Sequence, residues 1–420
     1  MEMEVSTYEV FNDAKLMIEL VTRQDSNATE LAVFDGKKVT YEKRFPGPDG
    51  NTYIPPRGID CFPLGINLAS SADEYEDVTT LFDELYSFIE KYIDMDKEFI
   101  NICVLYVLMT YVYQKFDTIP YLRIVGDAGS GKSTLTRTLS LLCYKGMEIT
   151  GCVTVPVIFR STDLFSPTLT IDETDFADQK DSADLIKLLN GGYAKGRPVI
   201  RLIPAEGRGF ITESFNVYCP KILNGRRRFD NDALESRCIS YRMQASTARP
   251  NSYQLSEEYY QEAQLLRNKL LKYRFDYFFK TVPLQVAECK IPNTLPPRFQ
   301  QLMIPLMTVA VDDTSRNCLI RYFLKLEEDA KFGKAHGSRA FILKAVKTRM
   351  ERKLDLLIGN ICNSAREMTN DKFLKITPRK VGGILRDTFG LETCRTAEGY
   401  ELIADELKLK QAYEDYGIGD

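Results

Sequence analysis

The segment LRIVGDAGSGKSTL, residues 122–135, constrains the fold of this chain more than any other feature. An apolar run leads into a glycine-rich turn, and Lys132 then opens a predicted helix. Residues 126–133 match the pattern G-x-x-x-x-G-K-S, in which backbone amides and a helix N-terminus face a phosphate while the serine hydroxyl ligates magnesium. A flexible loop with a chance lysine is the alternative. We predict a site for ATP and Mg²⁺. The residues expected to hold the nucleotide are Gly126, Asp127, Ala128, Gly129, Ser130, Gly131, Lys132, Ser133 and Thr134.

Composition narrows the class of protein. With 420 residues, of which 44% are hydrophobic and 27% charged, the chain is long enough for two or three folded domains. A formal net charge of -4 leaves no basic field over the whole molecule, so any contact with nucleic acid must come from local clusters. The 10 cysteines form no CxxC pair and His336 is the single histidine, which argues against a metal-thiolate site and fits reduced thiols in a cytoplasm. The longest apolar stretch, residues 99–113, is too short to span a bilayer, so we expect no membrane contact.

The pattern along the chain predicts successive segments. Residues 1–78 contain short apolar runs between proline and glycine turns, which indicates a small β-rich element. A pair of helices is expected at 79–119, and strands then alternate with helices over 120–248, as in a parallel α/β sheet covered on both faces. Residues 249–332 are helical and predict a lid or linker. Residues 333–420 combine helices with a final hairpin, TCRTAEGYELI, and predict a winged-helix-like domain.

Two carboxylates end the predicted strand TLTIDE at residues 168–173. A parallel sheet would place Asp172 beside the phosphate loop, where it can hold Mg²⁺ through water together with Ser133. Glu173, one residue farther on, is positioned to polarise an attacking water, which suits hydrolysis better than transfer to a substrate hydroxyl. Solvated acids at a strand end are the alternative.

Two further polar residues flank the next predicted strands. Asn224 follows FNVYCPKIL and could orient the same water or sense the γ-phosphate, or it could simply be a turn residue. Arg237 ends the helical piece DNDALESR and could reach a neighbouring subunit's nucleotide as an arginine finger, or it could form a surface salt bridge. If Arg237 acts as a finger, hydrolysis requires assembly, and repeated head-to-tail contacts close into a ring.

The order and spacing of these elements resemble those of the AAA+ ATPases. Residues 126–134, the acids within 171–173, Asn224 and the ALESR element at 233–237 are similar to Walker A, Walker B, sensor 1 and the arginine finger of that family. Within that family, the chain most specifically resembles the phage and mobile-element ATPases related to superfamily III and minichromosome-maintenance helicases. In these proteins the arginine finger acts in trans.

The resemblance implies an AAA+ P-loop core with a helical lid. It covers residues 81–243 well, the lid loosely, and residues 1–75 hardly at all. It also places Arg298, in LPPRFQQLMIPL, at the position of the family's sensor 2 arginine, with ordinary helix capping as the alternative.

A basic segment lies inside this acidic chain. Between residues 195 and 228 there are eight basic and two acidic side chains, and RPVIRLIPAEGRGFITESF predicts a β-hairpin there. In the helicases that the chain resembles, a hairpin at this point enters a central channel and tracks nucleic acid. Lys195, Arg197 and Arg208 are therefore the predicted contacts, with salt-sensitive and sequence-tolerant binding. An exposed basic hairpin without a ligand is the alternative.

A second basic surface is predicted near the C-terminus. Arg379 and Lys380 lie on a helix opening at Thr377, and Arg395 lies on the hairpin, as in a winged helix that binds a DNA groove. The glycine pair at 382–383 weakens that helix, and such domains can instead dock protein.

These features favour a hexameric, Mg²⁺- and ATP-dependent DNA helicase or translocase, with single-stranded DNA in its central channel, that serves replication of a phage or mobile element. Two alternatives stay open. A protein-remodelling AAA+ motor would need an aromatic-apolar-glycine loop after the second strand, which GCVTVPVIF lacks. An initiator or loader that uses ATP only to assemble on DNA is disfavoured by the acids at 172 and 173, although slow turnover would be compatible with it.

Overall fold

The structure is a computed structural model that describes most of the chain in two units. The larger unit is Met1–Tyr322 and the smaller is Phe323–Asp420. The division falls inside a helix, Asp313–His336, that also runs through the boundary predicted between residues 332 and 333. The described residues are 1–23, 28–57, 65–149, 154–172, 180–205, 209–226, 229, 231–244, 255–369 and 376–418, without the side chains of 180–183, 203–205 and 331–336.

Short strands make up the first part of the larger unit, as the alternating pattern predicts. Four of them, β2 to β5, form an antiparallel sheet in sequence order, and β1, β7 and β6 form another small sheet. The bounds are β1 Glu2–Glu4, β2 Tyr8–Phe11, β3 Leu16–Thr22, β4 Thr29–Phe34, β5 Val39–Glu42, β6 Phe45–Pro46, β7 Thr52–Ile54 and β8 Ile66–Asn67.

Two helices precede the central sheet. In α1 (Val78–Tyr92) the apolar side chains recur at helical spacing, and Leu81, Leu85 and Phe88 are buried. α2 (Lys97–Thr110) is apolar on all sides, and its residues from Ile102 to Thr110 are buried. The all-round burial explains the long apolar stretch, because a helix in a protein core needs no polar face.

The central sheet alternates strands with helices. Its strand order is β15-β9-β14-β11-β10-β8, in which the first five strands are mutually parallel and β8 is antiparallel to β10. This confirms the predicted parallel α/β sheet. The bounds are β9 Tyr121–Val125, α3 Lys132–Leu142, β10 Gly146–Ile149, α4 Val155–Phe165, β11 Leu169–Ile171, α5 Lys180–Gly191, β12 Val199–Ala205, β13 Gly209–Phe215, β14 Lys221–Gly225, α6 Asp232–Glu235 and β15 Cys238–Arg242.

The direction of these strands decides where the functional side chains meet. β9 lies between β15 and β14, and the segment after it is the predicted phosphate loop. Because the carboxyl ends of parallel strands share one edge of a sheet, residues that follow β9, β11 and β14 are neighbours there. Residues that precede β9 and β15 lie at the opposite, amino edge.

The N-terminal strands are not a separate body. β8 extends the central sheet, and Ile18 and Leu20 of β3 join the core of that sheet. Met17 and Val21, on the alternate face of β3, pack in a second cluster with Phe275. β3 is therefore buried on both faces, and the N-terminal strands belong to the same unit as the central sheet.

Helices follow the sheet where a lid or linker is predicted. They are α7 Glu257–Tyr277, α8 Pro297–Val309 and α9 Asp313–His336. The Ser256 hydroxyl caps α7 by accepting a hydrogen bond from the Tyr259 amide, and α7 packs on α1 and α3. Among the described residues, no helix is both long enough and apolar enough to cross a membrane.

The smaller unit contains helices followed by a β-hairpin and a last helix. Thr377 caps α12, and Pro378 occupies its first turn, as the sequence predicts. After the glycine pair at 382–383 the helix continues as a wider π-helical turn, residues 384–388. The bounds are α10 Ser338–Glu351, α11 Ile358–Glu367, α12 Pro378–Gly383, β16 Thr393–Thr396, β17 Gly399–Leu402 and α13 Glu406–Asp415.

Candidate nucleotide-binding site

The loop between β9 and α3 needs its glycines. Gly129 and Gly131 have φ angles of 78° and 91°, in the left-handed region that strains other residues. At Gly126 the reason is proximity, because a Cβ there would lie 2.5 Å from the carbonyl oxygen of Met243 and 2.8 Å from the Ser130 hydroxyl. The chain can therefore form this turn only with glycine at these positions.

The inner side of the loop carries hydrogen-bond donors. The Lys132 side chain is buried, and its Nζ donates to the carbonyl oxygen of Asp127 at 2.6 Å, so the ammonium lies over the loop. The Ser130 hydroxyl is buried and finds no hydrogen-bond partner in the described part of the chain. A donor in this state fits an anionic oxygen, since buried polar groups in proteins are normally satisfied. Thr134 lies in the first turn of α3.

The two predicted magnesium ligands lie together. The Ser133 hydroxyl donates to Oδ2 of Asp172 at 3.4 Å, although 38 residues separate them in the sequence. Asp172 directly follows β11, whose end aligns with β10 and β14. A hydroxyl and a carboxylate oxygen side by side are hard ligands of the kind that Mg²⁺ prefers, so this pair fits the ion.

A third acid near this edge was not predicted. Glu148 of β10 is flanked by Arg137, whose Nε lies 3.7 Å from its Oε2. Burial raises the pKa of Glu148, Arg137 opposes that shift, and the nearby Asp172 adds to it. The sequence signal is the acid within GMEI, the run that forms β10.

Asn224 lies near the end of β14 instead of after the strand. It is 2% exposed, and it is paired with Ile124 of β9, while the residue before it pairs with Ile171. Asn224 therefore occupies the register position next to Asp172, and adjacent strands are about 4.8 Å apart. The Gly126 amide donates to the carbonyl oxygen of Gly225 at 3.2 Å, which ties this strand to the loop. Glu173 lies outside the described residues.

Arg237 lies at the other edge of the sheet. It precedes β15, and its carbonyl oxygen accepts from the amide of Tyr121, the first residue of β9. Its guanidinium donates to the Ala233 carbonyl and lies 4.5 Å from the centre of the Tyr193 ring. Arg298 contacts the same ring, at 5.4 Å. The structure thus brings Arg237 and Arg298 together, and it brings neither of them to the phosphate loop of its own chain.

The acid of the ALESR element organises the turn before Arg237. Glu235 accepts hydrogen bonds from the Ser240 hydroxyl at 2.9 Å and from the Phe229 amide at 3.0 Å. Its carboxylate also lies 3.7 Å from Nε of Arg123, which is buried on β9 beneath the ring of Phe229. This acid therefore fixes the turn to the sheet, a role that sequence analysis did not assign.

The predicted hairpin is present as β12 and β13, paired from Val199–Phe215 to Ala205–Gly209. Its described residues also expose large apolar side chains. Ile200, Leu202 and Phe210 are exposed by 60%, 68% and 70%. Arg201 lies 4.0 Å from Asp184 and opposite Glu213 in the ladder. Arg208 lies outside the described residues.

Not every basic residue of the segment 195–228 faces solvent. Lys221 is fully buried, and its Nζ donates to the carbonyl oxygens of Gly192, Val217 and Cys219 at 2.9 to 3.2 Å. Burial lowers the pKa of this lysine. Lys221 is therefore a structural residue and not part of the basic surface inferred from the sequence.

Lys195 and Arg197 lie at the base of the hairpin and are exposed. The Lys195 amide donates to the Asp117 carbonyl at 2.9 Å, which places this segment at the amino edge. Arg197 contacts Tyr193, with its guanidinium 5.5 Å from the ring centre. In the smaller unit, the DNA contacts predicted on α12 and the hairpin are exposed, and they are Arg379, Lys380 and Arg395.

Comparison with known proteins gives only weak similarities. No protein-family model matches the sequence, and no curated protein is significantly similar to it. The A form apo structure of the NrS-1 C-terminal region aligns with 92% of this chain and 96% of its own, at 12% identity and a TM-score of 0.34. The X-ray structure of JCV helicase aligns with 62% of this chain and 64% of its own, at 13% identity and a TM-score of 0.29. At TM-scores this low, the likeness supports no inference about the activity of this chain.

Proposed function

We propose that this protein is an AAA+ ATP hydrolase whose site is completed by a second copy of the chain. The observation that carries the proposal is the convergence of Lys132, Ser133, Asp172 and Asn224 at the carboxyl edge, around a loop built for phosphate. The same sheet carries Arg237 at its amino edge. One chain thus supplies the two complementary halves of a head-to-tail interface.

The roles of the residues follow from their positions. Lys132 and the loop amides would bind the phosphate oxygens, and Ser133 and Asp172 would hold Mg²⁺, which when bound neutralises charge on the phosphates. Asn224 would orient the attacking water, and Glu173 would accept its proton. The water oxygen bonds to the γ-phosphorus while the bond to the β,γ-bridging oxygen breaks, which releases ADP and inorganic phosphate.

We further propose that hydrolysis drives movement on DNA, as in a hexameric helicase or translocase. The hairpin β12–β13 starts at the amino edge and exposes Phe210 near its turn, which suits stacking against bases of a single strand. Lys195 and the sequence-predicted Arg208 would contact phosphates. In the smaller unit, α12 with the hairpin β16–β17 would form a winged-helix-like DNA contact.

The apolar surface of the hairpin also favours a second candidate, a motor that remodels protein. Ile200, Leu202 and Phe210 could grip an extended polypeptide as readily as a nucleic-acid strand. The two candidates differ in which polymer accelerates hydrolysis.

One experiment tests these proposals together. Phosphate release is measured with no polymer, with single-stranded DNA, and with an unfolded polypeptide, while light scattering gives the mass with and without ATP. We expect ATP-dependent assembly, stimulation by DNA, and loss of hydrolysis in Lys132→Ala but not in Lys37→Ala, which changes an exposed lysine in the turn between β4 and β5. Stimulation by polypeptide alone would favour the second candidate. Full hydrolysis by Lys132→Ala would contradict the site.

A further inference from the structure

Three arginines from different parts of the chain surround one tyrosine. The guanidinium carbons of Arg237, Arg298 and Arg197 lie 4.5, 5.4 and 5.5 Å from the centre of the Tyr193 ring. Arg197 comes from the loop after α5, Arg237 from the turn before β15, and Arg298 from the first turn of α8. We call these four residues the Tyr193 cluster.

The charges of the three arginines have no acidic partner among the described residues. In the described part of the chain, no carboxylate lies within salt-bridge distance of any of its three arginines, and Nε of Arg237 is buried without a hydrogen-bond partner. Two buried arginines elsewhere in the described part of the chain differ, since Arg274 of α7 pairs with Glu19 and Arg123 of β9 lies near Glu235. Like charges held together without an acid favour the binding of an anion.

Tyr193 is held firmly in place. It is 6% exposed, and its carbonyl oxygen accepts from the Ile119 amide at 2.9 Å. The preceding Gly192 must be glycine, because a Cβ there would lie 2.5 Å from the carbonyl oxygen of Val217 and 2.7 Å from Nζ of Lys221. The ring therefore offers a fixed surface against which guanidinium groups stack by cation–π attraction.

The hydroxyl of Tyr193 responds to the same charges. Burial alone would raise the pKa of this phenol, but its interaction with Arg298 and the charges of Arg298, Arg197 and Arg237 lower it below its usual value. The three arginines are thus close enough to Tyr193 to favour the ionised form of its hydroxyl.

The cluster cannot serve the phosphate loop of its own chain. β9 and β15 run in parallel from Tyr121–Cys238 to Val125–Arg242, and the cluster lies before this ladder while the loop lies after it. Five paired residues span about 17 Å, which is longer than an arginine side chain. An anion bound at the cluster would therefore not be the nucleotide held by the loop of the same chain.

We propose that Tyr193 is a positioning residue that gathers Arg197, Arg237 and Arg298 into one site for the terminal phosphates of a nucleotide bound to a second copy of the chain. The proposal rests on the proposed ATP hydrolase and extends it. Arg197, which the sequence predicts as a nucleic-acid contact, and Arg298, predicted as a sensor 2 arginine, would then act together with the arginine finger Arg237. Guanidinium groups suit this task because their donor forks match phosphate oxygens and they remain charged.

The test mixes variant subunits and separates kcat from KM. Arg197→Ala is the main variant, because its exposed side chain can be removed without a cavity, and Tyr193→Leu and Tyr193→Phe complete the series. Since the nucleotide binds to another subunit's loop, we expect Arg197→Ala and Tyr193→Leu to lower kcat about 10- to 100-fold with KM for ATP within about 3-fold. Tyr193→Phe keeps the ring and should retain more activity than Tyr193→Leu. Lys37→Ala is the charge control.

Mixing gives the readout that a purely structural defect would not produce. Lys132→Ala subunits lack the loop lysine but keep the cluster, so adding them to Arg197→Ala or Tyr193→Leu subunits should restore hydrolysis at mixed interfaces. The proposal is wrong if Arg197→Ala and Tyr193→Leu keep the wild-type kcat, or if these variants raise KM instead of lowering kcat. It is also wrong if Lys132→Ala subunits restore hydrolysis by Arg237→Ala subunits but not by Arg197→Ala or Tyr193→Leu subunits. A loss of DNA affinity in Arg197→Ala with unchanged basal kcat would also overturn it, and would return Arg197 to the nucleic-acid surface. Those outcomes leave the ATP hydrolase intact, whereas wild-type hydrolysis by Lys132→Ala alone would remove both proposals.

Discussion

Glu19 is the acid in a buried ionic cluster that joins the N-terminal sheet to the central sheet. Its Oε1 lies 2.6 Å from Nε of Arg274, and its Oε2 lies 3.2 Å from Nζ of Lys145. The Tyr144 hydroxyl donates to both oxygens, at 3.1 and 2.9 Å. Glu19 and Arg274 are 0% exposed and Lys145 is 5% exposed. Although burial would lower it, Glu19 and the nearby tyrosines hold the pKa of Arg274 above its usual value.

We expect Glu19→Gln to destabilise the protein strongly. Removing one partner of a buried ion pair costs about 3–5 kcal/mol, because the other charge stays buried without compensation. Here one carboxylate faces two cations, so we expect a loss of about 4 kcal/mol in the free energy of unfolding, against total stabilities of about 5–15 kcal/mol for typical domains.

Urea denaturation of the full chain, followed by tyrosine fluorescence and circular dichroism, measures this loss. The matched control is Glu42→Gln on β5, whose side chain is exposed and for which we expect a change within about 0.5 kcal/mol. An effect of Glu19→Gln as small as that of the control would refute the reasoning. It would mean that residues 1–78 are only loosely attached to the sheet.

Three further outcomes follow from the site and the hairpin. Asp172→Asn should lower kcat for ATP hydrolysis by at least about 100-fold, while titration with a fluorescent nucleotide should show that binding without Mg²⁺ persists. An equal loss of kcat and of Mg²⁺-free nucleotide affinity would contradict the role of Asp172. EDTA should abolish hydrolysis, and excess Mg²⁺ should restore it. Phe210→Ala should weaken the binding of single-stranded DNA by about 1–3 kcal/mol without changing how steeply the affinity falls with salt concentration, whereas Thr212→Ala should leave the affinity unchanged. A changed salt dependence in Phe210→Ala would indicate phosphate contacts instead of stacking.

Much of the sheet, and the meeting of residues at the candidate site, could be predicted from the sequence. Strand and helix periodicity located β9, α3 and β11, and the parallel arrangement brought Ser133 and Asp172 together as expected. These features depend on short stretches whose residue types directly determine local backbone conformation.

The Tyr193 cluster could not be predicted, because its members meet only in the folded chain. Arg197 and Arg298 are 101 residues apart in the sequence, and nothing local indicates that both contact Tyr193. Charge counting also treats every lysine as exposed, so it could not distinguish the buried Lys221 from a surface residue. The ionic partners of Glu19 could not be predicted either, because a single acid in an apolar strand meets its partners only when the chain packs.

Mixing Arg237→Ala with Lys132→Ala subunits tests most directly whether two copies of the chain share one catalytic site. Each variant alone should hydrolyse ATP at least 1000-fold more slowly than the wild type, in line with the effect of about 10³–10⁵ that arginine fingers have on kcat. Titrating one variant against the other at constant total protein should give a maximum of phosphate release at intermediate ratios. A rate that never rises above those of the separate variants would contradict a shared site.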